Sequence, residues 1–238
     1  MRPEAVAVVV PTYNESENLT PLIRDIRALG YQVLIVDDNS PDGTGALADQ
    51  IADGDAGVSV LHRSRKEGLG PAYAAGFAEV LTGGAEIVCQ MDADFSHDPA
   101  SLPDLVQAVA GGSGAALGSR YVPGGSVPGW PLHRRLLSRL GNGYARRALA
   151  TDISDMTSGF RAYRSEVLAA LQPATCEASG YGFQVEMARR CHEQGVAVAE
   201  VPITFRDRRR GESKMNWRIA VEAMWLVTLW GVQRLVRR

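Results

Sequence analysis

Short apolar runs rich in β-branched residues alternate with helical patterns along most of this chain. The apolar runs fall at residues 6–10, 33–36, 58–61, 87–91 and 115–118, and the helical patterns between them at 17–28, 44–52, 72–81 and 102–109. Runs that are apolar throughout are typical of strands buried on both faces. The alternation therefore predicts an α/β fold in which helices flank a mostly parallel sheet. The 238 residues suffice for one such domain with a sizeable core.

The pattern changes after Tyr121. A Gly/Pro-rich loop at 122–131 precedes a basic helix at 134–150, a helix at 183–194, a short strand at 198–201 and a terminal helix at 217–236. Such a loop is typical of a mobile element, and we expect it to close over a site. We assign residues 1–215 to one domain and 216–238 to an amphipathic helix. The tryptophans of that helix fit packing on the domain and contact with an anionic membrane interface equally well.

The charge balance argues against a general nucleic-acid-binding protein, because the net charge is −2, although arginines cluster at 134–147 and 206–218. The three cysteines include no CxxC pair, so neither a zinc site nor a disulfide framework is expected. Free cysteines of this kind favour a cytoplasmic location. The apolar run near the N-terminus is too short for a signal peptide. The apolar stretch at 219–232 is shorter than the ~20 residues that a membrane-spanning helix needs.

Polar motifs follow the predicted strands. PTYNE (11–15) follows the first, where we expect the proline to end the strand, and VDDNSPDGT (36–44) follows the second. Asp37 and Asp38 can accept hydrogen bonds from a ribose or a base, while the residues after them are typical of a turn that caps a helix. Ligands of open parallel sheets bind outside the carboxyl ends of the strands, so these motifs are expected to lie together.

The fourth predicted strand ends in MDADFSH, which contains an Asp-x-Asp pair, Asp92 and Asp94. Two carboxylates at a strand end suit Mg²⁺ or Mn²⁺, which bind through one or two carboxylates plus substrate phosphates. A cation there would stabilise charge on a departing diphosphate. Taken alone, the pair is equally typical of a solvated acidic turn.

Several motifs occur together and in order: PTYNE, VDDNSPDGT, KEGLGPAYAAGF, MDADFSHDP, GSRY, GGSVPGWPLHRRLLSR, DMTSGFRAY and FRDRRRGESKM. In this combination the chain resembles the inverting glycosyltransferases of family two, and more narrowly the dolichol/polyprenol phosphate mannose synthases, over residues 6–215. The resemblance implies a GT-A (Rossmann-like) fold and transfer of mannose from GDP-mannose to a polyprenyl phosphate with inversion. A dinucleotide-binding dehydrogenase is excluded because no GxGxxG follows the first strand.

The resemblance also implies roles for particular residues. Those expected to bind the nucleotide sugar are Pro11, Tyr13, Glu15, Asp37, Asp38, Lys66, Asp92, Arg120, Arg208 and Lys214. Those expected to hold the metal are Asp92, Asp94 and Ser96. The acceptor phosphate is assigned to Arg134 and Ser138, and catalysis to Asp92, Asp94, Arg120, Arg134 and Lys214. Asp155 and Glu186 fall where the family often places carboxylates that face the acceptor.

A lipid phosphate is already ionised near neutral pH, so a general base is dispensable and catalysis is expected to rest on positioning and electrostatics. His97 and His133 are interpreted as structural. The implied partners are GDP-mannose, a polyprenyl phosphate, the cytosolic face of a membrane and a membrane-anchoring protein. Two alternatives stay open: transfer of glucose from UDP-glucose to the same lipid, and a non-catalytic scaffold with this fold.

Overall fold

The computed structural model describes residues 2–178, 180–207 and 217–236. Its strands are β1 (Val6–Thr12), β2 (Gln32–Asp37), β3 (Val58–His62), β4 (Ile87–Gln90), β5 (Ala115–Ser119), β6 (Arg161–Arg164) and β7 (Val198–Pro202). Its helices are α1 (Ser16–Arg27), α2 (Thr44–Gly54), α3 (Leu69–Thr82), α4 (Leu102–Ala110), α5 (Leu132–Leu149), α6 (Ser165–Leu171), α7 (Tyr181–Glu193) and α8 (Trp217–Val236).

The strands form one sheet in the order β3-β2-β1-β4-β6-β5-β7. All neighbouring pairs are parallel except those of β6, which runs antiparallel to β4 and β5. The predicted α/β fold with a mostly parallel sheet is therefore confirmed. The sequence patterns missed β6 and α6. The strand β6 was missed because it begins and ends with arginine and so lacks an apolar run.

Two apolar cores lie on the two faces of the sheet. Alternate residues of β1 serve the two cores: Val8 and Val10 pack with α1 and α4, whereas Val9 packs with α3, α7 and α8. Each fully buried valine or leucine stabilises the fold by about 1.5–3 kcal/mol relative to an exposed one. The strands are thus held between two helical layers, and only their ends are available for a site.

Pro11 does not end the first strand, contrary to the expectation from its sequence. β1 continues to Thr12, with Pro11 paired to Val36 of β2. The neighbouring strand β4 pairs with β1 only as far as Val9, whose carbonyl accepts from the Met91 amide. Backbone groups of successive strand residues point to alternate sides, so Pro11 directs its missing N–H to the side where β4 has already ended.

Within the described ranges, none of the helices combines the length and the apolar character needed to cross a membrane.

Candidate active site

The sheet directs the carboxyl ends of β1, β2, β4 and β5 to one edge, because these strands are all parallel to one another. The antiparallel β6 starts at that same edge, which places the residues before Arg161 beside the end of β4. The motifs predicted to lie at strand ends are therefore brought to one side of the molecule.

The turn after β2 is tied to the turn after β1 by side chains. Asp37 accepts from the Thr12 hydroxyl at 3.1 Å and from the Ser40 amide at 3.0 Å. Thr44 accepts from the Glu15 amide at 3.0 Å. Asp37 is thus engaged within the protein. The interpretation of this motif as a turn before a helix is supported by Asp42, whose Oδ1 accepts from the Thr44 amide at the start of α2 at 3.0 Å.

Asp38 lies next to this turn and is paired with Arg63, a residue that the sequence motifs did not single out. The Arg63 Nη1 is 2.5 Å from the Asp38 Oδ1, and both side chains are nearly buried. Burial raises the pKa of the Asp38 carboxyl, and Arg63 opposes that shift. The signal that points to Arg63 is its position one residue after β3, at the edge that carries the other motifs.

Tyr13 and Lys66 come together at the outer side of these turns. The Lys66 Nζ lies 3.8 Å from the centre of the Tyr13 ring. The two residues come from different motifs, PTYNE and KEGLG, so the fold joins two segments that the sequence separates. A flat ring with an ammonium group beside it suits a nucleobase with a nearby phosphate.

Asp92 and Asp94 lie on the loop after β4. The Asp92 Oδ1 accepts a hydrogen bond from the hydroxyl of Tyr73 at 2.7 Å. The Asp94 Oδ1 accepts from the Ser96 amide at 2.9 Å, and Phe95 between them has a φ of 58°. That left-handed conformation is uncommon for a residue with a large side chain and is typical of functional loops. Tyr73 was not predicted to take part.

Arg120 follows β5 and is held rigidly by Asp155. The Arg120 Nε and Nη2 lie 2.7 and 2.6 Å from the two Asp155 oxygens, and the Arg120 amide donates to the same carboxylate at 3.0 Å. Burial alone would raise the pKa of Asp155, yet the Arg120 guanidinium and its hydrogen bonds hold that pKa below its ordinary value. Asp155 therefore orients Arg120, and its expected place on the acceptor side stays a prediction.

A second arginine lies near the first, across a tryptophan. Trp130, from the Gly/Pro-rich loop, has the Arg134 guanidinium 3.9 Å and the Arg120 guanidinium 5.6 Å from one of its ring centres. Asp207 accepts from the Trp130 indole at 3.0 Å and from Arg134 at 2.9 Å. Ser138, one turn further along α5, accepts from the hydroxyl of Tyr121 at 2.5 Å. Two arginines, each paired with an aspartate, thus lie close together at the site.

The Gly/Pro-rich loop is anchored to the segment after β7. The Ser126 amide donates to the Ile203 carbonyl and the Phe205 amide to the Ser126 carbonyl, at 3.0 and 2.9 Å. Closure of residues 122–131 over a donor stays a prediction.

Glu186 is engaged within the protein, and its expected place on the acceptor side stays a prediction. Its carboxylate accepts from the backbone amides of Glu177 and Ala178 and from the Arg190 guanidinium. It therefore fastens the segment before α7. Arg208 and Lys214, which were expected to bind phosphates, lie outside the described residues.

Comparison with known proteins identifies the family. The model of "Glycosyl transferase family 2" matches residues 7–171. The chain is 47% identical over 229 residues to the polyprenol monophosphomannose synthase of Mycolicibacterium smegmatis, covering 95% of this chain and 86% of that protein. It is 46% identical over 229 residues to the undecaprenyl-phosphate mannosyltransferase of Micrococcus luteus, covering 95% and 94%.

Solved structures show the same fold at low sequence identity. Glucosyl-3-phosphoglycerate synthase from Mycobacterium tuberculosis, in complex with Mn²⁺, UDP and glucosyl-3-phosphoglycerate, matches with a TM-score of 0.67 at 20% identity, covering 96% of this chain and 79% of that one. A mannosyltransferase from Pyrobaculum calidifontis in complex with GDP-Man and Mn²⁺ matches with a TM-score of 0.61 at 20% identity, covering 99% and 66%. The match of the family model and the identity to curated relatives together show that this chain belongs to glycosyltransferase family 2.

Proposed function

We propose that this chain transfers mannose from GDP-mannose to a polyprenyl phosphate, with inversion at the anomeric carbon. The observation that carries the proposal is that an Asp-x-Asp pair after β4 and Arg120 after β5 lie at the same edge of the sheet, with Arg134 beside Arg120 across Trp130. The reaction brings two phosphate-bearing substrates together, and guanidinium groups donate charge-assisted hydrogen bonds to phosphates. The choice of mannose and of a polyprenyl acceptor rests on the relatives named as mannosyltransferases for such lipids.

We propose Mg²⁺ or Mn²⁺ as the cofactor. Among the described residues, His, Cys, Asp and Glu form no group of three or more that could hold a metal ion. A site of two carboxylates fits a cation that takes its other ligands from substrate phosphates, so Asp92 and Asp94 would hold it beside Ser96. Bound there, the cation would act as a Lewis acid on the leaving diphosphate. Two solved structures of the same fold are complexes with Mn²⁺.

The protein's own groups position the reactants. Tyr73 orients Asp92, and Asp155 fixes the plane of the Arg120 guanidinium, so neither group has to reorganise during the reaction. Arg134 and Ser138 on α5 would bind the acceptor phosphate. The second pKa of a phosphate is near ~6, so the attacking oxygen is already ionised near neutral pH and needs no general base.

The nucleotide would lie across the ends of β1 and β2. Tyr13 would stack on the base, Lys66 would meet a phosphate, and Asp38 would accept from the ribose or base, since all three lie at this edge. Pro11, Glu15 and Asp37 would shape the turns that support these groups.

A peripheral membrane position belongs to this proposal. Leu132, Leu136, Leu137 and Leu140 on α5 are between 51% and 73% exposed. Helix α8 packs against α5, where the hydroxyls of Tyr144 and Thr228 are 2.6 Å apart, and it exposes Trp225, Leu229 and Val232. The same α5 carries Arg134 and Ser138, so a bilayer that contacts its leucines would present a lipid phosphate at the depth of these two residues.

The test is incorporation of radiolabelled sugar into an organic-extractable polyprenyl phosphate fraction. GDP-mannose and UDP-glucose are supplied in turn, each with Mg²⁺, with Mn²⁺ and with chelator. The proposal expects metal-dependent incorporation from GDP-mannose alone. Incorporation from UDP-glucose alone would show that the donor is UDP-glucose and not GDP-mannose. Incorporation from neither donor would favour a non-catalytic scaffold.

A further inference from the structure

Gln184 is a buried amide that the proposed mechanism does not use. It lies at the start of α7 and is 1% exposed. Among the described residues, neither its Oε1 nor its Nε2 has a hydrogen-bond partner. A buried polar group without a partner destabilises the folded state, so its retention needs a physical reason.

The position of Gly159 connects this amide with the candidate active site. A Cβ built on Gly159 would lie 3.4 Å from the Asp92 Oδ2 and 3.6 Å from the Gln184 Nε2. The carboxylate and the amide therefore flank the same glycine. Gly159 does not have a positive φ, so its backbone conformation does not require glycine. What the glycine provides is the space that a side chain would fill between Asp92 and Gln184.

The orientation of the Asp92 carboxylate also connects Gln184 with the candidate active site. Its Oδ1 receives the Tyr73 hydroxyl, while its Oδ2 is the oxygen nearest to Gly159. A ligand that engages the Oδ2 is therefore brought towards the Gln184 amide. The last torsion of a glutamine side chain is broad and roughly two-fold, so the amide can turn to meet such a ligand.

The chemistry of an amide identifies the kind of group that it would bind. An amide presents a donor and an acceptor, and a sugar hydroxyl is also both donor and acceptor. A phosphate offers acceptors only and would leave the Oε1 of Gln184 unpaired. Because a sugar hydroxyl matches the donor and the acceptor of the amide, and because Gln184 lies beside Asp92, we propose that Gln184 forms hydrogen bonds with a hydroxyl of the transferred sugar. Gln184 would then be a specificity-determining residue for the donor. This inference rests on the proposed function.

Two variants test the proposal. Gln184→Met keeps the volume and removes the amide, and since the amide has no partner among the described residues, we expect it to leave stability unchanged or raised. Gly159→Ala adds a methyl group whose nearest neighbours are at ordinary contact distance, so it should fold while filling the space between Asp92 and Gln184. Thermal unfolding checks both expectations before binding is measured.

The readout is binding of GDP, GDP-mannose and the 2-, 3-, 4- and 6-deoxymannose forms of GDP-mannose, in the presence of Mg²⁺. The wild type should bind at least one deoxy form about tenfold or more weakly than GDP-mannose, as expected when a buried polar group loses its partner. Gln184→Met should lose that discrimination and bind GDP as the wild type does. Gly159→Ala should weaken GDP-mannose binding by a larger factor than it weakens GDP binding.

The outcomes separate this inference from the function on which it rests. Wild-type protein that binds UDP-glucose in preference to GDP-mannose overturns the proposed function. Wild-type protein that binds GDP-mannose, with Gln184→Met keeping the full discrimination between the deoxy forms, overturns only the role of Gln184.

Discussion

At the scale of single residues, the arginines of the site differ in how they are held. Arg120 is 7% exposed and its guanidinium meets both oxygens of a fully buried carboxylate. Arg134 is about one-third exposed and meets Asp207, which is itself largely exposed. A buried ion pair is costly to break, whereas an exposed one contributes about 0–1 kcal/mol. The orientation of Arg120 is thus fixed before any substrate binds.

Asp155→Asn should lower the free energy of unfolding by about 3–5 kcal/mol, because it leaves the Arg120 charge buried without its counter-charge. Urea denaturation near neutral pH measures the change. Asp152→Asn is the control, since Asp152 is exposed and should change stability by less than about 0.5 kcal/mol. Equal effects of the two variants would show that the buried ion pair contributes no more to the free energy of unfolding than an exposed aspartate does.

The same pair predicts a pH dependence. Arg120 holds the pKa of Asp155 below its ordinary value, so the folded state binds fewer protons than the unfolded state in acid. The stabilisation is fully present above the unfolded pKa and is lost as the pH falls through the lower folded pKa. Urea midpoints of the wild type should therefore fall more steeply below about pH 4 than those of Asp155→Asn. Parallel curves would contradict this assignment.

The sequence motifs named most of the residues that the fold brings to the site, but not what those residues contact. Asp92, Asp94, Arg120 and Arg134 stood out because their motifs resemble a family. Tyr73, Arg63 and Gln184 did not, because an aromatic residue in an apolar helix or a lone amide has no local pattern that marks a partner far away in the chain. Asp155 was noticed, but its contact with Arg120 was not predicted, since the two residues are 35 positions apart.

At the scale of elements, the strands and helices with a regular pattern of apolar residues were predicted from the sequence, and β6 was not. Periodicity reports burial only where buried residues are apolar. β6 buries Arg161, whose guanidinium donates to the carbonyls of Met156 and Ser158 at 2.8 and 2.7 Å. In the sequence such a residue is counted as polar. It is buried in the fold because of hydrogen bonds that form only when the chain is folded.

The contact of α3 with the sheet depends on a glycine. A Cβ on Gly76 would lie 2.5 Å from Val9 Cγ1 and 2.8 Å from Val36 Cγ2. Gly76→Ala should therefore lower stability by about 1–3 kcal/mol, the usual cost of overpacking. Gly143→Ala on α5, where nothing lies within 4 Å, should raise it by about 0.5–1 kcal/mol. Chemical denaturation of both variants checks the pair, and a stabilised Gly76→Ala would refute the close packing.

The exposed leucines of α5 predict membrane binding. Leu137→Gln combined with Leu140→Gln should weaken binding to vesicles by at least about tenfold, since burying one leucine contributes about 1.5–3 kcal/mol. Co-sedimentation with vesicles that contain anionic lipid gives the partition constant. Ala78→Gln, an exposed position on α3, serves as the control. Unchanged binding of the double variant would remove α5 from the membrane contact.

At the scale of the whole molecule, one sheet explains why distant motifs form one site. Six parallel strands end at one edge, and the antiparallel β6 begins there, so segments from Tyr13 to Asp207 are brought to the same side of the molecule. The fold class and the family were both predicted from sequence and are confirmed. A division at residue 215, and a role for Arg208 and Lys214, stay predictions.

The central claim is that this edge transfers a sugar from GDP-mannose only when a divalent cation and a polyprenyl phosphate are both present. The most direct test is the rate of GDP release by purified protein, with each component omitted in turn, for the wild type, Asp94→Asn and the surface variant Asp152→Asn. We predict release that requires all three components, is lost by at least about a hundredfold in Asp94→Asn, as when a key charge stabiliser is removed, and persists in Asp152→Asn. Release that continues with chelator, or that is unchanged in Asp94→Asn, would contradict the account.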